Sequence, residues 1–274
     1  MHSKYYLVFL ILLFCGSVSS QENVDSLIYW SNKLLNDTSE NERIISFNQT
    51  TSKIKSILND DTNIVYDFSK VKSISSLESE DKKCKVFTYN LRFKDETYLY
   101  GGIIQYYNSN KNHFEVVELI DKSATITKPN SQILNANNWF GALYYKLWVV
   151  KYKKQKYYML LGWDGNTAFS NKKLIDLFYF NSKGEIQFGA PIIEFNKKRQ
   201  SRVIFEHAER VSMSLKYQEK SNKIIFDHLA PSQPSLEGQF EFYCPDFTTD
   251  ALEFKKGKWN LIINYEARND KEKK

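Results

Sequence analysis

The spacing of apolar residues changes once along the chain. Val24, Leu27, Ile28, Leu34 and Leu35 recur at helical intervals, with Trp30 near the same stripe, and predict a first helix. Asn36-Asp37-Thr38-Ser39 interrupts it and places a serine or threonine to cap a second. In that second stretch Ile44, Ile45, Phe47, Ile54, Ile57 and Leu58 form an apolar face, closed by Asn59-Asp60-Asp61. From about Asn63 the period shortens to 2, the signature of strands.

Short alternating or wholly apolar runs then repeat to the C-terminus. They cover 83–93, 98–107, 114–120, 147–152, 157–163, 174–180 and 185–195, and continue at 203–208, 212–218, 223–229, 240–243, 251–254 and 259–266. Clusters of Asn, Gly, Asp, Ser and Lys bound each run. The pattern predicts an α+β, mainly β protein: two N-terminal helices followed by a long antiparallel β-meander. A curled sheet or half-open barrel is the first expectation, an incomplete propeller the alternative. One interruption, 137–145, reads as a short helix laying Trp139, Phe140 and Leu143 on the sheet. Gly184 in Asn181-Ser182-Lys183-Gly184 and Gly257 in Lys255-Lys256-Gly257-Lys258 sit where a hairpin needs positive φ.

The start of the chain has its own pattern. Lys4 precedes an apolar core of about ten residues, 5–14, and a small-residue exit, Gly16 to Ser20. That is a secretory signal peptide with Gln21 as the expected mature N-terminus, too short to serve as a membrane span. The organisation expected is signal 1–20, helical segment 21–62, β-rich domain 63–268 and a charged tail 269–274, with no transmembrane segment after cleavage. The protein is then exported, periplasmic or at the cell surface.

Composition narrows the partners. Tyr and Phe make most of an aromatic content of 15%, large apolar area with few rotatable bonds. The net charge of +6 is spread along the chain. The basic runs 151–156 and 197–202 lie between strand-like runs, as charged hairpin tips do, so no nucleic-acid partner is expected. Of three cysteines, Cys15 leaves with the signal; Cys84 and Cys244 can form a disulfide in an oxidising compartment or remain buried free thiols.

Candidate chemistry is sparse. Gly162-Trp163-Asp164-Gly165-Asn166 ends an apolar strand; Trp163 could stack on a sugar while Asp164 and Asn166 bond its hydroxyls, or the string is simply a turn. His207 and His228 have carboxylate neighbours in sequence, but alternation sends Glu206 and Asp227 to the faces opposite their own histidines. Asp246, Asp250, Glu237 and Glu241 cluster near the connection 230–239, which Pro231 and Pro234 stiffen as binding loops often are. No nucleophile elbow, phosphate loop or dinucleotide fingerprint occurs, and neither a metal site nor a cofactor is expected.

Two stretches carry a resemblance. Tyr158-Met159-Leu160-Leu161-Gly162-Trp163-Asp164-Gly165-Asn166 is one. The other is Phe226-Asp227-His228-Leu229-Ala230-Pro231, running on through Glu237-Gly238-Gln239-Phe240 and Tyr243-Cys244-Pro245-Asp246-Phe247 to Lys256-Gly257-Lys258-Trp259. With the signal ending Ser-Ser-Gln, the chain resembles a group of uncharacterised exported proteins of Bacteroidota. The resemblance implies a Gram-negative envelope location and carries no catalytic residues. Two functions stand against each other. One is a non-catalytic envelope protein binding a protein or glycan partner through Trp163, Asp164, Asn166, Pro231, Pro234 and Glu237. The other is a hydrolase of envelope sugars or peptides using His207, His228, Asp227 or Asp246, which requires those groups to converge in a pocket.

Overall fold

The computed structural model describes residues 23–60 and 68–266. The signal segment with its Gln21 cleavage point, the boundary at 62/63 and the tail 269–274 lie outside the described residues. The class is α+β, mainly β, with two helices ahead of the strands. Helix α1 covers 23–36 and α2 Glu40–Leu58. The Ser39 hydroxyl caps α2 by accepting from the Glu42 amide, and Lys55 in its last turn suits the helix dipole. The buried stripe of α2 is Ser46, Thr50, Ile54 and Ile57, whereas Ile44 and Ile45, expected on that face, are exposed. Ser46 is tolerated inside because its hydroxyl donates to the Glu42 carbonyl at 2.7 Å, leaving no orphaned donor.

The first sheet, A, runs in chain order: β1 Ser75–Glu78, β2 Cys84–Arg92, β3 Tyr98–Asn108 and β4 His113–Ile120. Next come β5 Leu134–Asn135, β6 Leu143–Tyr152, β7 Gln155–Asp164, β8 Ser170–Phe180 and β9 Ile186–Phe188, forming sheet B in the order β5-β9-β8-β7-β6. The chain leaves B with β10 Ile193–Phe195 and β11 Lys198–Gln200, then returns as β12 Val203–Ala208, which pairs with β8. It ends with β13 Leu215–Gln218, β14 Lys223–Pro231, β15 Tyr243–Lys255 and β16 Lys258–Ile262. These complete sheet C in the order β11-β10-β16-β15-β14-β13, where β10 and β16 are a parallel pair in an otherwise antiparallel arrangement.

The expected meander is thus divided among three stacked sheets, and no closed barrel forms among the described residues. One face of A packs on the helices through Phe87, Tyr89, Leu91 and Ile103 against Leu27, Leu34, Ile54 and Ile57. Its other face meets B, with Val86 and Ile104 facing Leu147, Tyr158 and Leu160. The far face of B meets C, with Met159, Leu161 and Leu177 facing Ile224, Leu252 and Trp259. Burial of both faces explains why Tyr158-Met159-Leu160-Leu161 reads as continuously apolar.

Three local expectations are corrected. The run 185–195 is two strands: Gly189, at φ +82, turns the chain out of B towards C. The stretch 137–145 is not a helix. Asp121 takes the Gly141 and Tyr100 amides, at 3.3 and 3.0 Å, and bridge pairing of Trp139 to Asp121 holds the segment extended beside β4. Trp139 and Phe140 are nonetheless buried, as anticipated. Residues Phe240–Phe242 form a 3-10 turn, and β15 begins at Tyr243. The predicted hairpin glycines both have positive φ, +80 at Gly184 and +83 at Gly257.

Candidate functional site

The Trp163 turn is built inward. Trp163 is half-buried with its ring edge-on to Tyr98, centroids 5.6 Å apart. Gly165 leaves room for that tyrosine: a Cβ there would stand 2.3 Å from the Tyr98 ring. Asp164 is buried, and its Oδ1 accepts from the Tyr100 hydroxyl at 2.8 Å and the Asn166 amide at 2.9 Å. Burial lifts the Asp164 carboxyl above its ordinary pKa, opposed by the Asn166 amide, Lys172 and the Tyr100 hydroxyl. The Asn166 side-chain Nδ2 donates to Glu206 of β12 at 3.0 Å and to Ser170 at 2.7 Å. These contacts pin the β7–β8 connection to β3 and β12.

A second polar constellation lies deeper between A and B. Asp176 and Arg202 are both fully buried and paired at 3.2 Å. The Tyr144 hydroxyl donates to Asp176 at 3.0 Å and itself accepts from the Trp139 indole at 3.0 Å. Arg202 also donates to the backbone carbonyls of Pro129 and Gln132. It belongs to the basic run read as a surface hairpin tip, and only the first part of that run is one. Arg202 is drawn inside because Asp176 on β8 needs a partner.

The hollows at the β3–β4 and β8–β9 hairpins and beside β10 and β16 are lined by none of the four candidate catalytic groups. His207 is buried on β12, with Nδ1 on the Ala208 carbonyl at 2.9 Å and Nε2 unpartnered. Burial pushes its pKa below the ordinary histidine value. Asp227 accepts from the Ser214 amide at 2.7 Å, fixing β13 to β14. His228 is half-exposed, 2.9 Å from the buried Asp250, which also accepts from the Asn264 amide at 2.9 Å. Asp246 is exposed and within the electrostatic reach of His228. Burial works to raise its carboxyl, but the Thr248 hydroxyl and amide, with His228, hold it below the ordinary range. Among the described residues no cluster of three His, Cys, Asp or Glu could hold a metal ion. Cys84 and Cys244 are free thiols on sheets A and C, with B between them, so the disulfide considered above is not formed.

His228 and Asp246 mark instead a bulge that the sequence did not single out. The β14–β15 register slips between Asp227 and Leu229, where Thr249 and Pro245 are the partners, so three residues of β15 oppose His228 alone. The middle one is Phe247, at φ +70 and 101% exposed. A bulky side chain in the left-handed region, with its whole ring in water, contradicts both backbone preference and the hydrophobic effect. The bulge is held from both sides: Asp246 accepts from the Thr248 amide and hydroxyl at 3.0 and 2.7 Å, and Thr249 bonds the Tyr265 backbone. Beyond it β14 and β15 run three more paired positions, about 10 Å, to the loop at Pro231. Pro231 is half-buried there, while Pro234 opens an exposed 3-10 turn and Glu237 follows it in solvent. Phe240, at the loop's end, is exposed against Tyr243.

A cleft of different character opens at one end of the A/B sandwich. Two adjoining hollows, about 450 and 300 Å³, meet along Tyr106, Asn108 and Gly184 between the β3–β4 and β8–β9 hairpins. Searched against family models, curated proteins and solved structures, the chain has no significant match in any of the three.

Proposed function

We propose that this is a non-catalytic, exported protein of the cell envelope that docks on a partner protein through the β14–β15 bulge, with Phe247 as the anchoring side chain. The observation that carries the reading is the strained, fully exposed Phe247 on a bulge fixed by Asp246, Thr248 and Thr249. Strained backbone persists where surrounding structure over-determines it, and such positions concentrate at functional sites. A rigid aromatic brings large contact area with little side-chain entropy to lose, which is the profile of an interface hot spot. Phe240 and the stiffened loop of Pro231, Pro234 and Glu237 extend the same face. The signal-like pattern of residues 1–20 and the envelope resemblance support a partner outside the cytoplasm. The hydrolytic alternative draws no support from His207 and Asp227, which are occupied in holding backbone.

The test is site-specific photo-crosslinking in cells, with the reactive aromatic at position 247 and, as control, at the half-buried position 254. The reading expects a discrete protein adduct at 247 that is absent at 254 and absent for unlabelled Phe247→Ser. Adducts to lipid alone, or an identical pattern at both positions, would overturn it.

A further inference from the structure

The cleft between the two hairpins carries a second assignment, independent of the Phe247 bulge. Its floor is aromatic: Tyr106 lies against Phe180 with centroids 4.4 Å apart, and Tyr158 stacks on Phe178 at 4.7 Å. The two hollows differ in charge. The larger is lined by Lys111 and Lys183 together with Glu115 and Glu185, and balances. Glu115 is locked in place, accepting from Lys111, from the Tyr106 hydroxyl at 2.6 Å and from Asn108 at 2.8 Å, and these bonds hold its pKa down at about 2. The side-chain amides of Asn137 and Gln187 in the same hollow make no hydrogen bond among the described residues, the Asn137 backbone amide alone donating to Asn135. An amide both donates and accepts, which matches a hydroxyl group.

The smaller hollow has Lys83 and Lys156 in its lining and no carboxylate. Lys156 is paired with Asp81 and lies 4.6 Å over the Tyr158 ring. Lys83 is exposed, sits 5.3 Å over the Tyr107 ring and takes part in no ion pair among the described residues. An uncompensated ammonium above an aromatic face, beside a neutral hollow lined with amides, calls for a ligand with two unlike ends. Both hollows fall in the size range of small-ligand sites, about 300–1,000 Å³. We infer that this cleft binds an acidic oligosaccharide, with a hydroxyl-rich sugar unit in the larger hollow and the carboxylate of a neighbouring unit against Lys83 in the smaller one.

The experiment is titration calorimetry of the mature protein with three probes: tetragalacturonic acid, the neutral cellotetraose and inorganic sulfate. The acidic tetrasaccharide binds, more weakly as salt is raised, while the other two bind at least about tenfold more weakly. Lys83→Ala weakens tetragalacturonate about ten- to a hundredfold by removing a charge-assisted bond. Gln187→Ala weakens it less, and Phe247→Ser leaves it unchanged. Lys83 and Gln187 lie at the surface or half-buried, and unchanged thermal melts of both variants exclude misfolding. Absence of tetragalacturonate binding overturns the assignment. Equal binding of cellotetraose removes the acidic class, and equal binding of sulfate reduces the site to an anion subsite; either result also overturns it.

Discussion

Sheet B has two buried faces made by alternate residues of the same strands, and they are chemically unlike. On β8, Leu174, Asp176 and Phe178 point towards A, while Ile175 and Leu177 point towards C. The A/B interior holds a charged pair, a tyrosine and an indole joined in one hydrogen-bonded chain, and separately the bonded pair Tyr100 and Asp164. The B/C interior is apolar, and its two large indoles, Trp148 and Trp259, leave their N–H groups without partners. Polar networks constrain relative orientation because each bond fails outside a narrow geometry, whereas apolar contact tolerates sliding. The A/B pair is therefore the more precisely registered interface, and the B/C pair is held mainly by area.

That contrast can be broken most forcefully at Asp176. Asp176→Ala leaves Arg202 charged and buried without a counter-ion, and urea unfolding will register a loss of about 3–5 kcal/mol. Asp176→Leu combined with Arg202→Met will recover most of it, because the pair is removed together. Next in size is a comparison of indoles. Trp139→Phe discards the bond to the Tyr144 hydroxyl and will cost about 1–3 kcal/mol more than Trp148→Phe, which discards an N–H that bonds nothing.

A smaller effect separates the interiors by pH. His207, on the C-facing side of β12, has a pKa depressed by burial, so the unfolded chain takes up a proton that the fold refuses. Stability will decline as pH falls through the unfolded histidine range, about 6.5, and His207→Phe will flatten that slope in thermal melts at pH 7.5 and 5.5. The smallest stability effect belongs to Phe247, outside both interiors. Phe247→Gly will leave the melting temperature unchanged or slightly raised, since glycine adopts positive φ without strain.

The period-2 pattern made the strands legible, from Val86 on β2 to Trp259 on β16, along with the two helices and the hairpin glycines. It could not sort strands into sheets, because a fully buried strand looks alike whichever neighbours cover it. Gly189 illustrates the gap: one positive φ ends β9 and sends β10 to a different layer. The rotation of α2 escaped notice because Ser46 and Thr50 are polar in composition but interior in place. Of the candidate site, the Pro231–Glu237 loop and Asp246 were visible, but Phe247 was not. A phenylalanine inside an aromatic-rich strand region is ordinarily core, and only the register slip opposite His228 turns it outward. The one available signal was the Pro245-Asp246 pair just before it, which disfavours a regular ladder.

Strand β16 has a bearing on biogenesis. It is the last strand among the described residues, yet it sits in the middle of sheet C between β10 and β15, with Trp259 as its buried centre. Until residues 258–262 emerge, β10 and β15 each present an unsatisfied edge and C cannot close over B. Sheet C therefore stays open along the β10 and β15 edges until the β16 segment has been made.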